Sequence, residues 1–520
     1  MKTIPAAPGT GISLVVGLVL ISALVLAPFT IRFRHNDEGI FIHDSLRMAN
    51  GERLYRDLAQ TFDPLPFLFL EWVFRLFGES FLALRLSFIF TMVLSVLLIY
   101  WIGKGSGLDR AAAAGAALLF LFSVPAFFSY SHHWQSTTLA LAATAGFIAA
   151  EKRQSRPFFL LAGFCSGLTL HSHLSKGVIM AGVFALWLLL ALILTGGPNR
   201  LRRVNLCLWW TIGLAVAGAA IPLWFYRDGL WADYWYNVIG KKVLYGRYHL
   251  GIFPYGQTSV HRLSPAELAR RPAEAYIFVQ QSVMMLLPVL MAAGAAGQLF
   301  DRRYRGRNLL NPGNFLVLAA AGLWLSVFYA PVPYKIPAVI GLVFPALALV
   351  IQRGPAVPRT GVRRARIFIG LLLALYGVKT AGAAWTALTD DAATIPTRLG
   401  PVTIPDRESA REAVLISEYF RTRHLGNSAF AYPYVPEIYF LCGLDNPTRY
   451  NNASRAYTTA RDEEEIRAVL IEHPDLRIIL IPRNWHSSPA MVSWIEENYR
   501  REKAFQRLEI WKPAGIPNTP

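Results

Sequence analysis

The run Gly11-Ile-Ser-Leu-Val-Val-Gly-Leu-Val-Leu-Ile-Ser-Ala-Leu-Val-Leu-Ala-Pro-Phe-Thr-Ile31, followed at once by Arg32-Phe-Arg34-His35-Asn36-Asp37-Glu38, decides the fold class. An uncharged run of this length, wound as a helix, spans the roughly 30 Å hydrocarbon core of a bilayer. Only Lys2 precedes it as a basic flank and no clean A-x-A site follows, so it reads as a span and not a signal peptide. Ten similar runs follow, at about 80–102, 111–129, 136–150, 157–171, 177–196, 206–226, 275–298, 313–331, 336–352 and 366–387. The chain therefore reads as a polytopic α-helical membrane protein with about eleven transmembrane helices. Pro66–Phe77 is too short to cross and carries Glu71 and Arg75, so it is expected to lie at the interface or re-enter.

Composition agrees. The 520 residues are 54% hydrophobic and 16% charged, with a net charge of +18. Such a chain is neither a soluble enzyme nor a disordered tail, and three scattered cysteines make no disulfide scaffold. The basic excess has an address. Residues 1–388 carry 35 basic and 15 acidic groups, whereas the rest carries 16 and 18. Seventeen of the basic residues sit in the short connections around 104–110, 152–156, 200–203, 302–307 and 353–366; the short connections opposite offer only Lys176 and Lys335. The positive-inside rule then predicts a cytoplasmic N-terminus and two long outer loops, 32–79 and 227–274. It puts the remainder, 389–520, outside as well. The charge is an orientation signal, and no nucleic-acid partner is expected.

Residues 389–520 alternate polar helix and strand patterns, which predicts a small soluble α/β domain beside the membrane domain 1–388. Ser409-Ala-Arg-Glu412 looks like a capping box opening a helix that runs to about Arg423 and stops at Gly426. Strands are expected at 429–434, 476–481 and 505–511, and helices at 461–473 and 489–499.

Long outer loops beside short basic inner ones place the working surface outside. Asp37 and Glu38 lie a few residues past a span, where a carboxylate can take a proton from an incoming hydroxyl beside a lipid-borne group. Acids also favour the first turn of any helix, so spacing alone leaves both readings open. Lys176 and Lys335 at the membrane boundary are either anion-binding groups or snorkelling side chains. His132, His133, His171 and His173 have ligand chemistry for a divalent metal, though interfacial histidines also simply hydrogen-bond; the sequence requires no cofactor. The aromatics of 227–274 suit sugar stacking or an interfacial belt alike. No P-loop or dinucleotide fingerprint appears, which disfavours a nucleotide donor used on the inner side.

Several motifs together carry a resemblance. Asp37-Glu38 after the first span, Gly51-Glu-Arg-Leu-Tyr55-Arg-Asp57-Leu58 and Pro64-Leu-Pro66 are joined by Leu174-Ser-Lys176-Gly177 and Tyr334-Lys335-Ile-Pro337. In the C-terminal part, Pro436-Glu-Ile-Tyr439-Phe-Leu-Cys-Gly443 and Asn446-Pro-Thr-Arg449-Tyr450 complete the set. Their order and sidedness resemble the GT-C membrane glycosyltransferases, in particular bacterial relatives of protein O-mannosyltransferases and the lipid A aminoarabinose transferases. The resemblance implies a bacterial inner-membrane enzyme of the cell envelope that moves a sugar from a polyprenyl-phosphate donor to a glycan, lipid or protein acceptor, usually with inversion. It makes Asp37 the general base and Glu38 the second acid, orienting the loop or acceptor, and puts Lys176, Lys335, Tyr334 and Tyr55 among the substrate-binding residues; Arg247, Arg262, Lys241 and Lys242 of the second long loop are further candidates that a solvated basic face explains as well. Two departures stand out. Asp63 occupies the place of a lysine that relatives often carry before the proline pair, and Ile40 the place of an arginine in the aminoarabinose transferases. Both withdraw expected phosphate contacts, so the transferred sugar stays open. The alternatives are a polymerase or ligase of lipid-linked glycans, or a non-enzymatic lipid or glycan transporter.

Overall fold

The computed structural model describes residues 10–33, 36–195, 198–243, 264–271, 310–327, 333–353, 358–482 and 486–516, with scattered positions between 282 and 294. The helices in chain order are α1 (Thr10–Leu26), α2 (Asn36–Ala49), α3 (Leu65–Phe77), α4 (Phe81–Ser106), α5 (Arg110–Ser123), α6 (His132–Arg153), α7 (Arg156–Ser172), α8 (Leu174–Leu194) and α9 (Pro198–Arg227). After them come α10 (Trp231–Trp235), α11 (Pro265–Arg270), α12 (Pro312–Leu325), α13 (Val343–Gln352) and α14 (Pro358–Thr389). Among the described residues, six helices are long and apolar enough to cross a membrane: Ile12–Phe29, Phe81–Ser106, Arg110–Phe127, Leu174–Leu194, Asn199–Arg227 and Thr360–Thr389.

That is fewer than the eleven expected, for identifiable reasons. The fourth span is real as a helix, α6, and at 22 residues longer than its apolar stretch. It buries His133, Gln135, Ser136, Thr137 and Thr144 against neighbouring helices, so its sequence need not be apolar enough to face lipid. α7 stops at 17 residues. The ninth and tenth are short, Pro312–Leu325 and Ile340–Gln352, and the tenth is preceded by a 3-10 stretch, Pro333–Ala338. Most of 275–298 lies outside the described residues. α3, at 13 residues, is too short to cross, as its sequence suggests.

The basic connections gather at one end of the bundle. Arg203 pairs with Glu151 at 2.6 Å, Arg366 with Asp109 at 3.0 Å, and Gln352 donates to the Gly107 carbonyl at 3.0 Å. Asp109 also caps α5 by accepting from Ala111 N and Ala112 N.

α7 and α9 approach until their backbones touch. A Cβ on Gly163 would lie 2.0 Å from the Trp210 carbonyl oxygen, and one on Gly213 would lie 2.1 Å from that of Leu160. Gly163 and Gly167 thus face Gly213 and Ala217, a small-xxx-small seam on each helix. Glycine is required here by close approach and not by backbone conformation.

The other end of the bundle carries the long first loop, folded as α2 and α3, beneath residues 393–516. In the latter, β1 (Ala393–Thr397) and β2 (Gly400–Ile404) form an antiparallel hairpin. A four-stranded sheet has the order β3-β4-β6-β5, with β3 (Ala429–Tyr432) parallel to β4 (Arg477–Leu480) and β5 (Tyr499–Ala504) antiparallel to β6 (Glu509–Pro513). Around them lie α15 (Arg407–Thr422), α16 (Glu437–Cys442), α17 (Ala460–Glu472) and α18 (Pro489–Asn498). The sequence missed the hairpin, α16 and β5, and misread a cap. Asp406 caps α15, while Glu412 turns away to accept from Arg507 N and Leu508 N at 2.6 and 3.0 Å. The genuine capping box is Thr459 with Asp462, at α17.

This region is stitched to the membrane part. Thr403 N donates to Ile31 O and Phe33 N to Thr403 O, while Phe81 N donates to Leu399 O, so the hairpin ties the end of α1 to the start of α4. Farther along, Asp44 of α2 accepts from Gln60 Nε2 at 2.6 Å and from Asn451 Nδ2 at 2.8 Å, all three buried. Burial pushes the Asp44 carboxyl up to about 7.

Two outcomes follow. Gly163→Ala puts a methyl against a carbonyl and should cost about 1–3 kcal/mol, whereas Gly182→Ala, facing open space, should be neutral; thermal unfolding in detergent reads both. An acid whose folded pKa is raised stabilises the fold most below its unfolded pKa, and that advantage is lost as pH rises through the folded value. Melting temperature should therefore fall between about pH 4 and 7, with a shallower slope in Asp44→Asn.

Candidate active site

α2 starts just beyond the end of α1, with Asp37 and Glu38 in its first turn. Consecutive helix residues point about 100° apart, so the acidic pair divides its labour. Glu38 turns into the bundle and is fully buried. It forms a two-pronged ion pair with Arg85 of α4, one contact at 2.8 Å, and accepts from Tyr130 N at 2.7 Å. The Arg85 guanidinium, itself fully buried, also donates to the Arg32 carbonyl and lies 4.5 Å from the Phe81 ring centre. Glu38 is thus committed to holding the start of α2, a positioning role and not a reacting one.

Asp37 turns the other way and keeps partial exposure. Its Oδ1 accepts from the Tyr434 hydroxyl, 397 residues away. Burial first, and then the Asp37 charge, push the Tyr434 hydroxyl well above its ordinary range, so it stays a donor. Gly39 lets this happen, because a Cβ there would meet Glu437 N at 2.7 Å. The strip 433–437 could not otherwise lie against α2.

The lysines converge nearby. Lys335 is nearly buried; burial pushes its pKa down, and the neighbouring Asp37 carboxylate works against that fall. Lys176, fully buried at the start of α8, donates to His133 O at 2.9 Å and Thr137 Oγ1 at 2.8 Å. That is no snorkelling geometry, since its ammonium is turned inward. A third ammonium comes from Lys242, paired with Asp63 at 2.5 Å. Asp63 also accepts from Leu174 N at 2.9 Å, capping the helix that carries Lys176. Asp63 thus brings a lysine in from the second long loop.

His132, His133 and His173 bring ring nitrogens within 4.8 Å of one another, whereas His171 leaves the group to face the Gly218 carbonyl at 2.9 Å. The donor set is three imidazoles without a carboxylate. Lys176 and Lys335 act electrostatically on all three rings, and Lys242 on two of them. Such surroundings fit an anion better than a divalent cation.

Other expected residues fall elsewhere. Tyr55 is fully buried, with its hydroxyl donating to Phe62 O at 2.8 Å and its ring against Phe225 and Tyr234; it has no face left for substrate. Arg247 and Arg262 lie outside the described residues, as does the Tyr334 side chain. Sequence reasoning missed Arg85 and Tyr434, and it could not separate Lys242 from the other basic residues of 227–274. Arg85 had a signal, a lone charge inside an otherwise apolar run. Tyr434 had none, because its role depends on a contact between opposite ends of the chain.

One partly exposed carboxylate and three lysine ammoniums thus meet at the end of the helical bundle that residues 393–516 cover, within one fold. ArnT from Cupriavidus metallidurans, solved bound to undecaprenyl phosphate, matches 97% of this chain and 98% of its own with a TM-score of 0.57 at 10% identity. Arabinofuranosyltransferase AftD from Mycobacteria matches 96% of this chain and 41% of its own, with a TM-score of 0.51 at 15% identity. Residues 62–224 match the family model described as dolichyl-phosphate-mannose-protein mannosyltransferase. No curated protein sequence matches the chain. The protein is a multi-pass membrane protein with the fold of the GT-C glycosyltransferases.

Removing one partner of a fully buried ion pair costs about 3–5 kcal/mol. Arg85→Ala should therefore lower the melting temperature strongly and reduce the yield of folded protein. Tyr434→Phe should leave the melt nearly unchanged while impairing whatever Asp37 does, a contrast read by running unfolding and turnover side by side.

Proposed function

We propose that the protein is a glycosyltransferase of the outer membrane face that takes a sugar from a polyprenyl-phosphate donor and passes it to an acceptor hydroxyl. The observation that carries this reading is the pairing of one partly exposed carboxylate with a nest of inward-facing ammoniums. Asp37, oriented by Tyr434, is the base; Lys335, Lys176 and Lys242 are the cations. The undecaprenyl phosphate bound to ArnT, which shares the fold, supports a lipid phosphate as the anion.

In the reaction Asp37 accepts the proton of the acceptor hydroxyl as its oxygen bonds to the anomeric carbon. The bond from that carbon to the phosphate oxygen breaks, and its electron pair leaves with the polyprenyl phosphate. That leaving group is already an anion and needs positive charge, not a proton. General-base assistance is worth about 10²–10⁴-fold. Attack from the face opposite the departing phosphate inverts the anomeric centre. The charge bias of the connections supports a cytoplasmic N-terminus with the site and residues 389–520 outside.

Asp37→Asn should be expressed and folded like the parent yet transfer label from a polyprenyl-phosphate sugar at least about 100-fold more slowly. Mass spectrometry of envelope glycans from a strain carrying it identifies the product that disappears. Near-normal turnover would remove Asp37 from the role of base.

A further inference from the structure

Two adjacent lysines of the second long loop part company. The helical turn Trp231–Trp235 continues into a π-helix, Tyr236–Gly240, and the backbone stays helical at Lys241. Neighbours on a helix point about 100° apart, so Lys241 and Lys242 face different ways. Lys242 runs to Asp63 in the cation cluster. Lys241 runs to the C-terminal region, where its buried side chain pairs with the buried Asp462 of α17 at 3.2 Å. The Lys241 ammonium also lies 5.5 Å from the Tyr236 ring centre and 5.3 Å from that of Tyr450. Asp462 is equally well supplied. It accepts from Thr459 N at 2.8 Å, from the Thr459 hydroxyl at 2.9 Å and from the Tyr450 hydroxyl at 2.9 Å. Tyr236 adds a contact between its hydroxyl and that of Thr459 at 3.3 Å.

We propose that the Lys241–Asp462 pair sets the register of this loop, and that Lys241 is a positioning residue that directs the Lys242 ammonium to the site of the departing lipid phosphate. The inference rests on the reading of the lysine cluster as a phosphate site. Lys241 itself is not a phosphate ligand, because its charge is taken up by Asp462 and two rings. A buried ion pair adds little net stability; what it supplies here is selection of one arrangement over a near-equivalent. The near-equivalent is close at hand. A slip of one residue would seat Lys242 on Asp462 and bring the apolar Val243 to Asp63, and the cluster would lose an ammonium. Tyr236 opposes the slip. Its ring beside Lys241 and its hydroxyl beside Thr459 fix the same register twice, since Thr459 and Asp462 form one capping box. The start of α17 thereby acts on the phosphate site through the loop.

The test uses the full chain in lipid nanodiscs and two probes, undecaprenyl phosphate and undecaprenol. The ratio of their dissociation constants reads the preference for charge separately from the tail. Lys242→Met should cut that ratio about tenfold. Lys241→Met should cut it nearly as far, and Lys241→Arg, which keeps the pair, should leave it near the parent value. Should Lys241→Met fail to fold, Asp462→Asn carries the same comparison, since it keeps the oxygen that caps α17. The deciding measurement is the variant carrying both Lys241→Met and Lys242→Met. Because Lys241 acts through Lys242, the double variant should be no weaker than Lys242→Met alone. The proposal is overturned if Lys241→Met and Asp462→Asn keep the parent ratio, if Lys241→Arg loses it, or if the two lysine losses add. A parent that binds both probes alike overturns the phosphate reading and the inference together. A parent that prefers the phosphate, with additive losses, overturns the inference alone.

Discussion

Everything at the site hangs on the buried ion pair of Glu38 and Arg85. Two unit charges taken fully out of water are tolerable only when each meets enough partners, and here they do. Glu38 receives the guanidinium and the Tyr130 amide, and Arg85 also reaches the Arg32 carbonyl. Because these partners come from the end of α1, the start of α2, α4 and the segment before α6, one interaction fixes four pieces of backbone. The adjacent residue, Asp37, then has its direction set by helix geometry, and Tyr434 needs to add only one hydrogen bond.

The lysines obey the same economy. A buried ammonium demands acceptors, and Lys176 finds a carbonyl and a hydroxyl on α6. Lys242 finds Asp63. Asp37 and Asp63 set their negative charge against the ammoniums of Lys176, Lys242 and Lys335, and the positive surplus suits an anion. The three histidine rings are packed among those cations, and the sequence, which shows ligand types but not their electrical surroundings, could not separate an anion site from a metal site.

The legible part of the fold was what is local and repetitive. Long apolar runs marked the lipid-facing helices, and the pile-up of arginines marked one end of the bundle. Interior helices such as α6 carry a weaker apolar signature, since polar residues like Gln135, Thr137 and Thr144 are buried there with their hydrogen bonds made inside the bundle. At the site, Asp37, Lys176 and Lys335 were readable because charge beside a membrane is rare. Glu38 was readable as an orienting acid but its partner was not, since Arg85 is 47 residues away. Tyr434 and the hairpin stitched across Ile31 and Phe81 were invisible for the same reason at longer range. Tyr55 misled, as a polar-tipped residue in a recognisable motif that the fold spends on packing.

The bonds from Tyr434 to Asp37 and from Asn451 to Asp44 also set a timetable. The ribosome delivers the first loop near the start and its partners near the end, with the whole helical bundle in between. Until residue 434 has emerged Asp37 lacks its tyrosine, and until residue 451 has emerged the Asp44 carboxyl lacks the second of its two amides. A nascent or truncated chain can place its helices in the bilayer and still hold no finished site. Residues 434–451 thus act as a completion check on the segment 37–44, which is made long before them.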